Sequence, residues 1–524
     1  MCGIWGYIST ELQDDKYFNC IKHRGPDCSN LFNFNYNDYK ISLGFHRLAI
    51  IDLDNGVQPF FYEYGNGDKV YLICNGEIYN YKYLIEKYSL DTKSDCEVIF
   101  KMFLQGKNIY DIIEELDGEF AFVLIKFSAS TINIYYGRDR FGIRPLFYRF
   151  DNTGFYFSSE LKGIKNGLGR QVEPRKIYYN NLKEENVYTY YFIGNQSNKY
   201  INTYEEIRNE LIKSVKDRMQ SERPLGALLS GGLDSSLICG IASKILKEKG
   251  ERLTTFSIGM DKDSPDIINA RKVAEYINSI HHEIIIPVEE WLNNLDNVIK
   301  QIETYDITTI RASTGQYLIS KWIKENTDIK VILNGDGSDE LTSGYLYFYN
   351  APDVNESHIE NLRLLNQIHY YDVLRVDRGI SAFGLESRVP FLAHKFVDLY
   401  LNLDKNLRIP IKGERIEKWL LRKSFENEKL IPNEVLWRQK EAFSDGCSSL
   451  KKSWYEYIQE YVENIITDEE YKKHKDFPSK EAYYYYKKFK EYYPESELKV
   501  IYWQPKYTKE HGGDPSARKL KSLY

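Results

Sequence analysis

Short apolar runs separated by turn residues dominate the first 160 residues of the chain. Their lengths and their content of β-branched and aromatic residues predict strands over 3–8, 41–51, 70–74, 119–127, 132–136 and 155–158. Helical periodicity occurs in this part only near 78–87 and 95–104. Strands with few helices predict a layered α+β domain, which we place at residues 1–190.

A second pattern begins after a polar, irregular stretch over 165–204, which we interpret as a linker and which includes Asn195 to Asn198. Short apolar strands are predicted over 225–229, 254–258, 283–286 and 330–333, with helical stretches such as 236–249 and 266–280 between them. This alternation predicts a parallel sheet with helices on both faces. After residue 341 the pattern is mostly helical, so we place an α/β domain with a helical C-terminal region at residues 205–524.

Composition and charge restrict the possible partners and the compartment. The net charge of −6 and the pI near 6.0 argue against a nucleic-acid partner, although a local basic pocket for a phosphate group is compatible with them. Seven scattered cysteines without a CxxC pair predict a reducing compartment, with neither a disulfide framework nor a zinc site. No leader precedes Cys2, and no apolar run approaches the roughly 20 residues that a membrane span needs. We therefore expect a cytoplasmic protein with no membrane partner.

The first residues, Met1-Cys2-Gly3, offer a candidate nucleophile. If Met1 is removed, Cys2 carries both a thiol and a free α-amine, and an amine with a pKa near 8 can accept the proton of the thiol. One residue then supplies both nucleophile and base. The alternative is that Cys2 is a small buried residue that begins the first strand.

Four further segments place polar residues in apolar surroundings: His23 to Asp27, Phe45 to Ile50, Cys74 to Asn80 and Ser94 to Glu97. Within the second of them, Arg47 interrupts a predicted strand. Burial of an unpaired charge costs several kcal/mol, so Arg47 must be paired or bind a ligand. A structural salt bridge is the alternative to a binding role.

The second domain contains two candidate phosphate-binding segments. Ser230 to Ser236, with the sequence SGGLDSS, lies between a predicted strand and a helix, where adjacent glycines, serine hydroxyls and the helix N-terminus can bind an anion. It lacks the lysine of GxxxxGK[ST], so it does not indicate transfer of a γ-phosphate. Asn334 to Glu340 carries three carboxylates after another strand, which predicts a metal and phosphate site. A plain turn and a solvated loop are the respective alternatives.

The N-terminal segments, together with Gly137 to Leu146, resemble the N-terminal-nucleophile glutamine amidotransferase domain in content and order. The resemblance implies an αββα sandwich in which Cys2 attacks the side-chain amide of glutamine. It also implies that Asn75 and Gly76 donate to the oxyanion, and that Arg47 and Asp95 hold the α-carboxylate and the α-ammonium. The implied glutamine site comprises Arg47, Leu48, Ala49, Ile50, Ile51, Asn75, Gly76, Glu77 and Asp95.

The SGGLDSS segment resembles the pyrophosphate loop of ATP pyrophosphatases, and the chain as a whole resembles the glutamine-hydrolysing asparagine synthetases. The segments that carry this second resemblance also include 308–314, 345–348, 384–392, 440–446 and 514–518. It implies an enzyme that converts aspartate to asparagine through β-aspartyl-AMP, giving AMP and pyrophosphate, with an internal tunnel for ammonia. The implied ATP site comprises Leu229, Ser230, Gly231, Gly232, Asp234, Ser235, Ile258, Asn334 and Gly335. Mg²⁺ is implied at Asp234 and Asp339, and the acyl-adenylate or pyrophosphate at Thr308, Arg311 and Lys440.

Three positions depart from the pattern of the family. Asp336 stands where many members have a glutamate that deprotonates ammonia, which keeps the acid but withdraws it by one methylene. Ala393 and Ala442 replace a common aspartate and a common glutamine. We expect altered rates rather than an inactive enzyme, with Asp336 and Lys440 as catalytic candidates.

Two alternatives to this function stay open at the level of sequence. One is a related acid-adenylating ligase similar to β-lactam synthetase, a branch that lacks a working N-terminal thiol. The other is a non-catalytic sensor of glutamine or a nucleotide, because a fold alone does not assure activity. The expected partners are the small molecules glutamine, aspartate and ATP, and a homodimer is left open.

Overall fold

The computed structural model of the chain describes residues 1–191, 193, 203–441, 443–449 and 451–508. The predicted linker residues 195–198, Ala442 and the segment 514–518 lie outside the described residues. Within those ranges, no helix combines the length and the apolar character that crossing a membrane requires.

Two six-stranded antiparallel sheets form the N-terminal part. Their strands are β1 (Gly3–Ser9), β2 (Cys28–Tyr36), β3 (Tyr39–Arg47), β4 (Phe60–Glu63), β5 (Lys69–Ile78), β6 (Gly118–Ser128), β7 (Thr131–Arg138), β8 (Phe147–Asp151), β9 (Gly154–Ser158), β10 (Arg170–Gln171), β11 (Lys176–Asn180) and β12 (Glu185–Thr189). The strand order is β10-β8-β9-β1-β3-β2 in one sheet and β12-β11-β7-β6-β5-β4 in the other. The central strands β1 and β5 therefore lie on facing sheets, and each carries residues of the first candidate site.

Alternate residues of the central strands pack into different cores, as the period of a strand requires. In β6, Ala121, Val123 and Ile125 face the core between the sheets, whereas Phe120, Phe122 and Leu124 face the helices outside. Those helices are α2 (Tyr81–Tyr88), α3 (Glu97–Leu104) and α4 (Ile109–Glu115), and α1 (Lys16–Asn19) covers the other sheet. The four layers confirm the predicted αββα sandwich.

Strands β10, β11 and β12 lie within residues 165–204, where we predicted an irregular linker, and that prediction was wrong for them. The strand at the edge of the sheet, β12, is almost entirely exposed, so its sequence lacks the apolar alternation that reveals a half-buried strand. β11 is anchored by pairing with β7, where the ring of Tyr178 stacks on that of Tyr136 at 5.0 Å.

A five-stranded sheet forms the second part, and all its neighbouring strands run parallel, as predicted. Its strands are β13 (Leu225–Leu228), β14 (Thr254–Gly259), β15 (Ile280–Ile285), β16 (Val331–Leu333) and β17 (Glu386–Arg388), in the order β15-β14-β13-β16-β17. The strand β17 was not predicted.

Helices joined by loops and short 3-10 helices surround this sheet. They are α5 (Thr203–Arg218), α6 (Leu233–Lys247), α7 (Pro265–Tyr276), α8 (Val288–Asn293), α9 (Leu295–Ile302), α10 (Ile307–Asn326), α11 (Ser338–Leu341), α12 (Val354–Gln367), α13 (Asp372–Ser381), α14 (His394–Asn402), α15 (Lys405–Arg408), α16 (Trp419–Phe425), α17 (Asn433–Leu436), α18 (Phe443–Gly446), α19 (Trp454–Glu463), α20 (Asp468–Tyr471) and α21 (Lys480–Tyr492). The helical C-terminal region is therefore confirmed.

Buried ion pairs join the sandwich to the second part. Arg24, which is fully buried, contacts Glu160 of the sandwich at 2.8 Å and Asp377 of α13 at 2.7 Å. Glu119 of β6 lies 3.1 Å from Arg218 of α5. A buried charge that loses its partner is strongly destabilising, so these pairs fix the relative position of the two parts.

Candidate active sites

Cys2 lies directly before β1 and is held by three segments. Its backbone N–H donates to Oδ1 of Asn75 at 2.7 Å, and Nε of Arg24 donates to its carbonyl oxygen at 3.0 Å. Its Sγ lies 3.7 Å from the carbonyl oxygen of Leu48. The facing strands β1 and β5 thus bring together residues that are more than 70 positions apart.

Burial raises the pKa of the Cys2 thiol to about 11, and the positive N-terminus of Met1 offsets part of this effect. Met1 is itself 1% exposed, and its ammonium group lies 2.9 Å from Oε2 of Glu386 on β17. A thiol with such a pKa is protonated at neutral pH, so it needs a base to become a nucleophile. Removal of Met1 would leave the α-amine of Cys2 free to act as that base.

Asn75 and Gly76 are the two residues predicted to donate hydrogen bonds to the oxyanion. Because Oδ1 of Asn75 accepts from Cys2, the amide Nδ2 points elsewhere, and this buried nitrogen has no partner among the described residues. At Gly76 any side chain would collide with the backbone of Glu119 and Phe120, so only glycine allows the two strands to approach here. The structure therefore places Asn75 beside Cys2, and Gly76 follows it in β5.

The residues predicted to hold glutamine lie around the same point. Asp95 accepts a hydrogen bond from the N–H of Ile78 at 2.9 Å, and burial raises its pKa to about 6. The guanidinium of Arg47 donates to the carbonyl oxygens of Leu53 at 2.8 Å and Asp52 at 2.5 Å. Within the described ranges Arg47 has no carboxylate partner, so the alternative of a structural salt bridge is not observed.

The segment after Arg47 leaves the sheet and contacts both parts of the molecule. The N–H of Ala49 donates to Oδ2 of Asp27 at 3.0 Å, and the carbonyl oxygen of Ile50 accepts from the N–H of Glu222 at 3.1 Å. The buried Ile51 follows directly. Glu77 lies 3.3 Å from Arg388 on β17, and burial together with the charge of Glu386 holds its pKa well above the ordinary range.

The second site is a cavity of about 210 Å³ at the carboxyl ends of β13, β14 and β16. The predicted residues that line it are Leu229, Ser230, Gly232, Asp234, Ser235, Ile258, Thr308, Asn334, Gly335, Asp336, Asp339 and Lys440. Gly231 and Arg311 do not line it. Gly231 packs against the backbone of α7 with φ +70°, and Arg311 donates to Glu481 at 2.8 Å.

The glycine-rich segment forms a tight turn at the N-terminus of α6. The hydroxyls of Ser230 and Ser235 lie 3.0 Å apart, and the N–H of Gly232 donates to Oγ of Ser230 at 3.3 Å. Serine hydroxyls and helix N–H groups converge there, as an anion requires. The structure is thus consistent with the predicted phosphate site.

A lysine that the sequence analysis missed links the two carboxylates predicted to bind metal. Nζ of Lys418 lies 2.5 Å from an oxygen of Asp234 and 2.5 Å from an oxygen of Asp339, and the lysine is 1% exposed. Lys440 contacts the other oxygen of Asp339. Although burial opposes it, Lys418 and Lys440 together hold the pKa of Asp339 below its ordinary value. Both carboxylates contact the same ammonium group, so they are close enough for one cation to contact both.

The opposite rim of the cavity carries a second charged group. Asp336 pairs with Arg375 of α13, which also lies 2.6 Å from Asp372, and burial raises the pKa of Asp336 to about 6. The hydroxyl of Tyr345 donates to Glu340, whose pKa burial and the charge of Asp372 hold well above the ordinary range. Arg375, Asp372 and Tyr345 were missed, since no local motif marks them.

The cavity is lined by apolar side chains as well as charged ones. The apolar residues include Leu228, Leu229, Phe256, Ile258 and Ile319. Three buried polar atoms of cavity-lining residues have no partner in the described part of the chain: Oγ1 of Thr308, Oε1 of Gln316 and Nδ2 of Asn334. Such atoms are rare in folded proteins and often mark ligand sites. A nucleotide, with a flat base and charged phosphates, matches this combination.

Comparisons with known proteins give one matching family model for each part of the chain. The model of the glutamine amidotransferase domain matches residues 1–221, and that of asparagine synthase matches 206–365 and 357–511. Among solved structures, the allosteric regulatory enzyme of purine biosynthesis matches with a TM-score of 0.32 and 16% identity over 54% of this chain and 80% of its own, too low to carry an argument.

Curated relatives match over almost the whole chain. The glutamine-hydrolysing asparagine synthetase of Pongo abelii is 42% identical over 99% of this chain and 98% of its own length. Those of Gallus gallus and Homo sapiens are each 41% identical over 99% of this chain, covering 99% and 98% of their own lengths. On this evidence the chain belongs to the family of glutamine-hydrolysing asparagine synthetases.

Proposed function

We propose that Cys2 releases ammonia from glutamine and that the second cavity captures this ammonia on adenylated aspartate. As a member of its family, the chain is an ATP-dependent ligase that forms asparagine from aspartate with the amide nitrogen of glutamine. The observation that carries the assignment of roles is the presence, in one chain, of a thiol beside an unpartnered amide donor and a cavity with paired carboxylates.

In the first site, Cys2 without Met1 attacks the side-chain carbonyl of glutamine, and its own α-amine takes the proton of the thiol. The developing oxyanion accepts hydrogen bonds from Nδ2 of Asn75 and from the N–H of Gly76, which are in place before the reaction. Ammonia leaves, and water then releases glutamate from the thioester. The unpartnered state of Asn75 Nδ2 supports this role.

Recognition of free glutamine falls to charged groups at the end of the substrate away from the amide. Arg47 suits the α-carboxylate, because a guanidinium presents several donors in one plane. Asp95 suits the α-ammonium in its ionised form. Glu77 contributes to the same end, while the backbone from Leu48 to Ile51 forms the wall of the pocket.

In the second site, the glycine-rich turn and the N-terminus of α6 hold the phosphates of ATP, and Asn334 with Gly335 lies along the nucleotide. The chemistry of the donor set fits Mg²⁺, which Asp234 and Asp339 would hold. Bound there, Mg²⁺ would neutralise phosphate charge. Thr308 and Lys440 stabilise the acyl-adenylate and the departing pyrophosphate.

Asp336 accepts a proton as ammonia adds to the acyl carbon. Its side chain lines the cavity, and its pKa of about 6 leaves it ionised at neutral pH. Arg375 holds this carboxylate from the side of α13. The shorter side chain, compared with the glutamate of many relatives, is thus fixed in one orientation.

The ammonia has a short route between the sites along β16 and β17. Glu386, which contacts Met1, pairs in register with Val331 at the start of β16, and the other end of β16 leads to Asn334 in the cavity. Removal of Met1, whose side chain is fully packed, would open space beside Glu386. We propose that this space is the entrance to an enclosed passage.

Two further properties follow from the same reading. Six cysteines are free thiols, which supports the proposed cytoplasmic location, where thiols stay reduced: Cys2, Cys20, Cys28, Cys74, Cys96 and Cys239. The homodimer stays a prediction that sedimentation of the purified chain would test.

An isotope experiment tests the coupled function. The enzyme is supplied with ATP, aspartate, glutamine labelled with ¹⁵N in its amide, and an excess of unlabelled ammonium. We expect asparagine to carry mostly the label, together with AMP release that requires aspartate. Fully diluted label would contradict an enclosed passage, and AMP release without aspartate, or none, would favour a different ligase or a sensor.

A further inference from the structure

One face of α10 is turned toward the synthetase cavity. Thr308, Ala312, Gln316 and Ile319 all line it, at the spacing of three or four residues that places side chains on one side of a helix. Gln316 is 3% exposed, and its Oε1, like Oγ1 of Thr308, is buried without a partner among the described residues. No hydrogen bond of its Nε2 occurs in the described part of the chain either.

Three other polar side chains of the same helix form hydrogen bonds with its backbone. The hydroxyls of Ser313, Thr314 and Ser320 each donate to the carbonyl oxygen four residues earlier, at 2.6, 3.1 and 2.6 Å. A buried polar group without a partner costs about 1–3 kcal/mol. The hydrogen-bonding capacity of Gln316 is therefore directed at something other than the protein.

The position of Gln316 identifies the part of the cavity that it serves. Because α10 precedes the parallel strand β16, the N-terminal end of the helix lies at the carboxyl end of the sheet, where the cavity is. Thr308 is close to that end, and Gln316 lies about two turns further along the helix. Its neighbours on this face, Ala312 and Ile319, are apolar. One turn further along α10, the ring of Trp322 lies 6.2 Å from that of Phe256 on β14, which is another apolar residue that lines the cavity.

We propose that the side-chain amide of Gln316 forms hydrogen bonds with the edge of the adenine base of ATP, and so contributes to base selection. The inference rests on the proposed binding of ATP in this cavity. A carboxamide carries a donor and an acceptor side by side, complementary to a ring nitrogen and the exocyclic amino group of adenine. Leu229, Ile258 and Ile319 suit the apolar faces of the base.

The test compares two nucleotides in the full-length enzyme. Aspartate-dependent pyrophosphate release is measured with ATP and with purine riboside 5′-triphosphate, which lacks the exocyclic amino group, at saturating aspartate and ammonium. We expect the unaltered chain to prefer ATP by about tenfold in kcat/KM, the effect of one lost hydrogen bond. In Gln316→Met and Gln316→Leu this preference should fall to within about twofold.

Thr314→Val is the matched control, because it removes a polar group of α10 that is hydrogen-bonded within the helix and does not line the cavity. It should keep the preference for ATP, and glutamine hydrolysis at Cys2 reports that each variant is folded. Equal use of both nucleotides by the unaltered chain, or an unchanged preference in both Gln316 variants, would overturn the inference. Absence of aspartate-dependent pyrophosphate release from the unaltered chain would instead reject the proposed function.

Discussion

The two sites differ in how their geometry is fixed. Around Cys2 most contacts run to or from the backbone, including the bond from its N–H to Asn75 and the bond from Ile78 to Asp95. In the synthetase cavity, ion pairs between side chains hold the charged groups, and the pairs Lys418–Asp234 and Lys440–Asp339 join residues more than 100 positions apart. Backbone pairing within the sheets fixes the geometry of the first site, whereas ion pairs between side chains fix that of the second.

This difference suits the two tasks. The glutamine site stabilises one oxyanion, and preorganised donors do so best when they do not move. The synthetase cavity accepts a nucleotide with several charges and releases two charged products. Its lysines and arginines are paired with carboxylates, so a phosphate or a cation replaces an existing ion pair rather than meeting a bare charge. Substitutions in the two sites should therefore separate the half-reactions cleanly.

Cys2→Ala should have the largest effect, because it removes the nucleophile. We expect glutamine-dependent synthesis of asparagine to fall by more than about 10⁴-fold, while synthesis from added ammonium persists. Asparagine is quantified with each nitrogen source, and Cys20→Ala serves as a control for a partly buried thiol remote from the reaction. Loss of both activities would show that the sites are not separate.

Asp234→Asn should impair the synthetase site and leave the glutamine site intact. The change removes one of the two negative charges on the lysine bridge and weakens the predicted metal site, so aspartate-dependent AMP formation should fall by about 10³-fold. Hydrolysis of glutamine by the same protein should remain within about twofold, since Asp234 lies in the other domain. Normal AMP formation would mean that the glycine-rich turn does not bind the nucleotide.

Lys418→Met should show whether exchangeable charge organises the cavity. Without this ammonium, Asp234 and Asp339 repel each other, and we expect the rate of AMP formation to fall by about 10²-fold. The requirement for Mg²⁺ should change as well, measured as the concentration that protects against thermal unfolding. Lys423→Met, at a half-exposed lysine of α16 paired with Glu426, is the control and should change neither quantity. An unaltered Mg²⁺ dependence in Lys418→Met would contradict the role of the bridge.

The same contrast explains what the sequence could predict of the fold. Strand β6 buries both faces, and its continuous apolar run predicted it to within one residue at each end. Strand β17 consists of Glu386, Ser387 and Arg388, all buried, and no hydrophobic pattern can reveal it. It is stable in the interior because Met1, Glu77 and neighbouring charges pair with it, which only the assembled structure provides.

The sites follow the same rule. Residues in compact motifs, such as Asn75 or Asp339, were predicted because neighbours along the chain share their function. Lys418, Arg375 and Gln316 reach the cavity from three different helical segments, and each lies outside the motifs that indicated a site. The orphaned amide of Gln316 became visible only when its surroundings were known.

Asp377→Asn should sharpen the comparison at the interface between the two parts. Arg24 loses one of its two carboxylate partners but keeps Glu160, so we expect the free energy of unfolding to fall by about 2 kcal/mol, less than for a fully broken pair. Each half-reaction should survive, while the yield of asparagine per glutamine hydrolysed decreases. Asp328→Asn, at an exposed position, is the control for charge alone. An unchanged yield would show that this ion pair only stabilises the fold.

The smallest effect is expected from pH at the glutamine site. Burial raises the pKa of Asp95 to about 6, and only its ionised form attracts the α-ammonium of glutamine. The KM for glutamine should therefore be constant above pH 7 and rise by about tenfold at pH 5. Because the folded chain binds this proton more tightly than the unfolded chain, the contribution of Asp95 to stability falls as pH rises from about 4 to 6 and is constant above.

Asp95→Asn separates this titration from other effects of acid. The variant cannot ionise at this position, so its KM for glutamine should be raised at every pH and should lose the rise between pH 7 and 5. Synthesis from added ammonium, with its rate corrected for the fraction of free ammonia, provides a pH profile that does not involve Asp95. A rise in KM that persists in Asp95→Asn would assign the titration to another group. Recognition of the α-ammonium would then fall to the backbone of the pocket. In that case fixed main-chain geometry, which distinguishes this site from the synthetase cavity, would also govern the binding of the substrate.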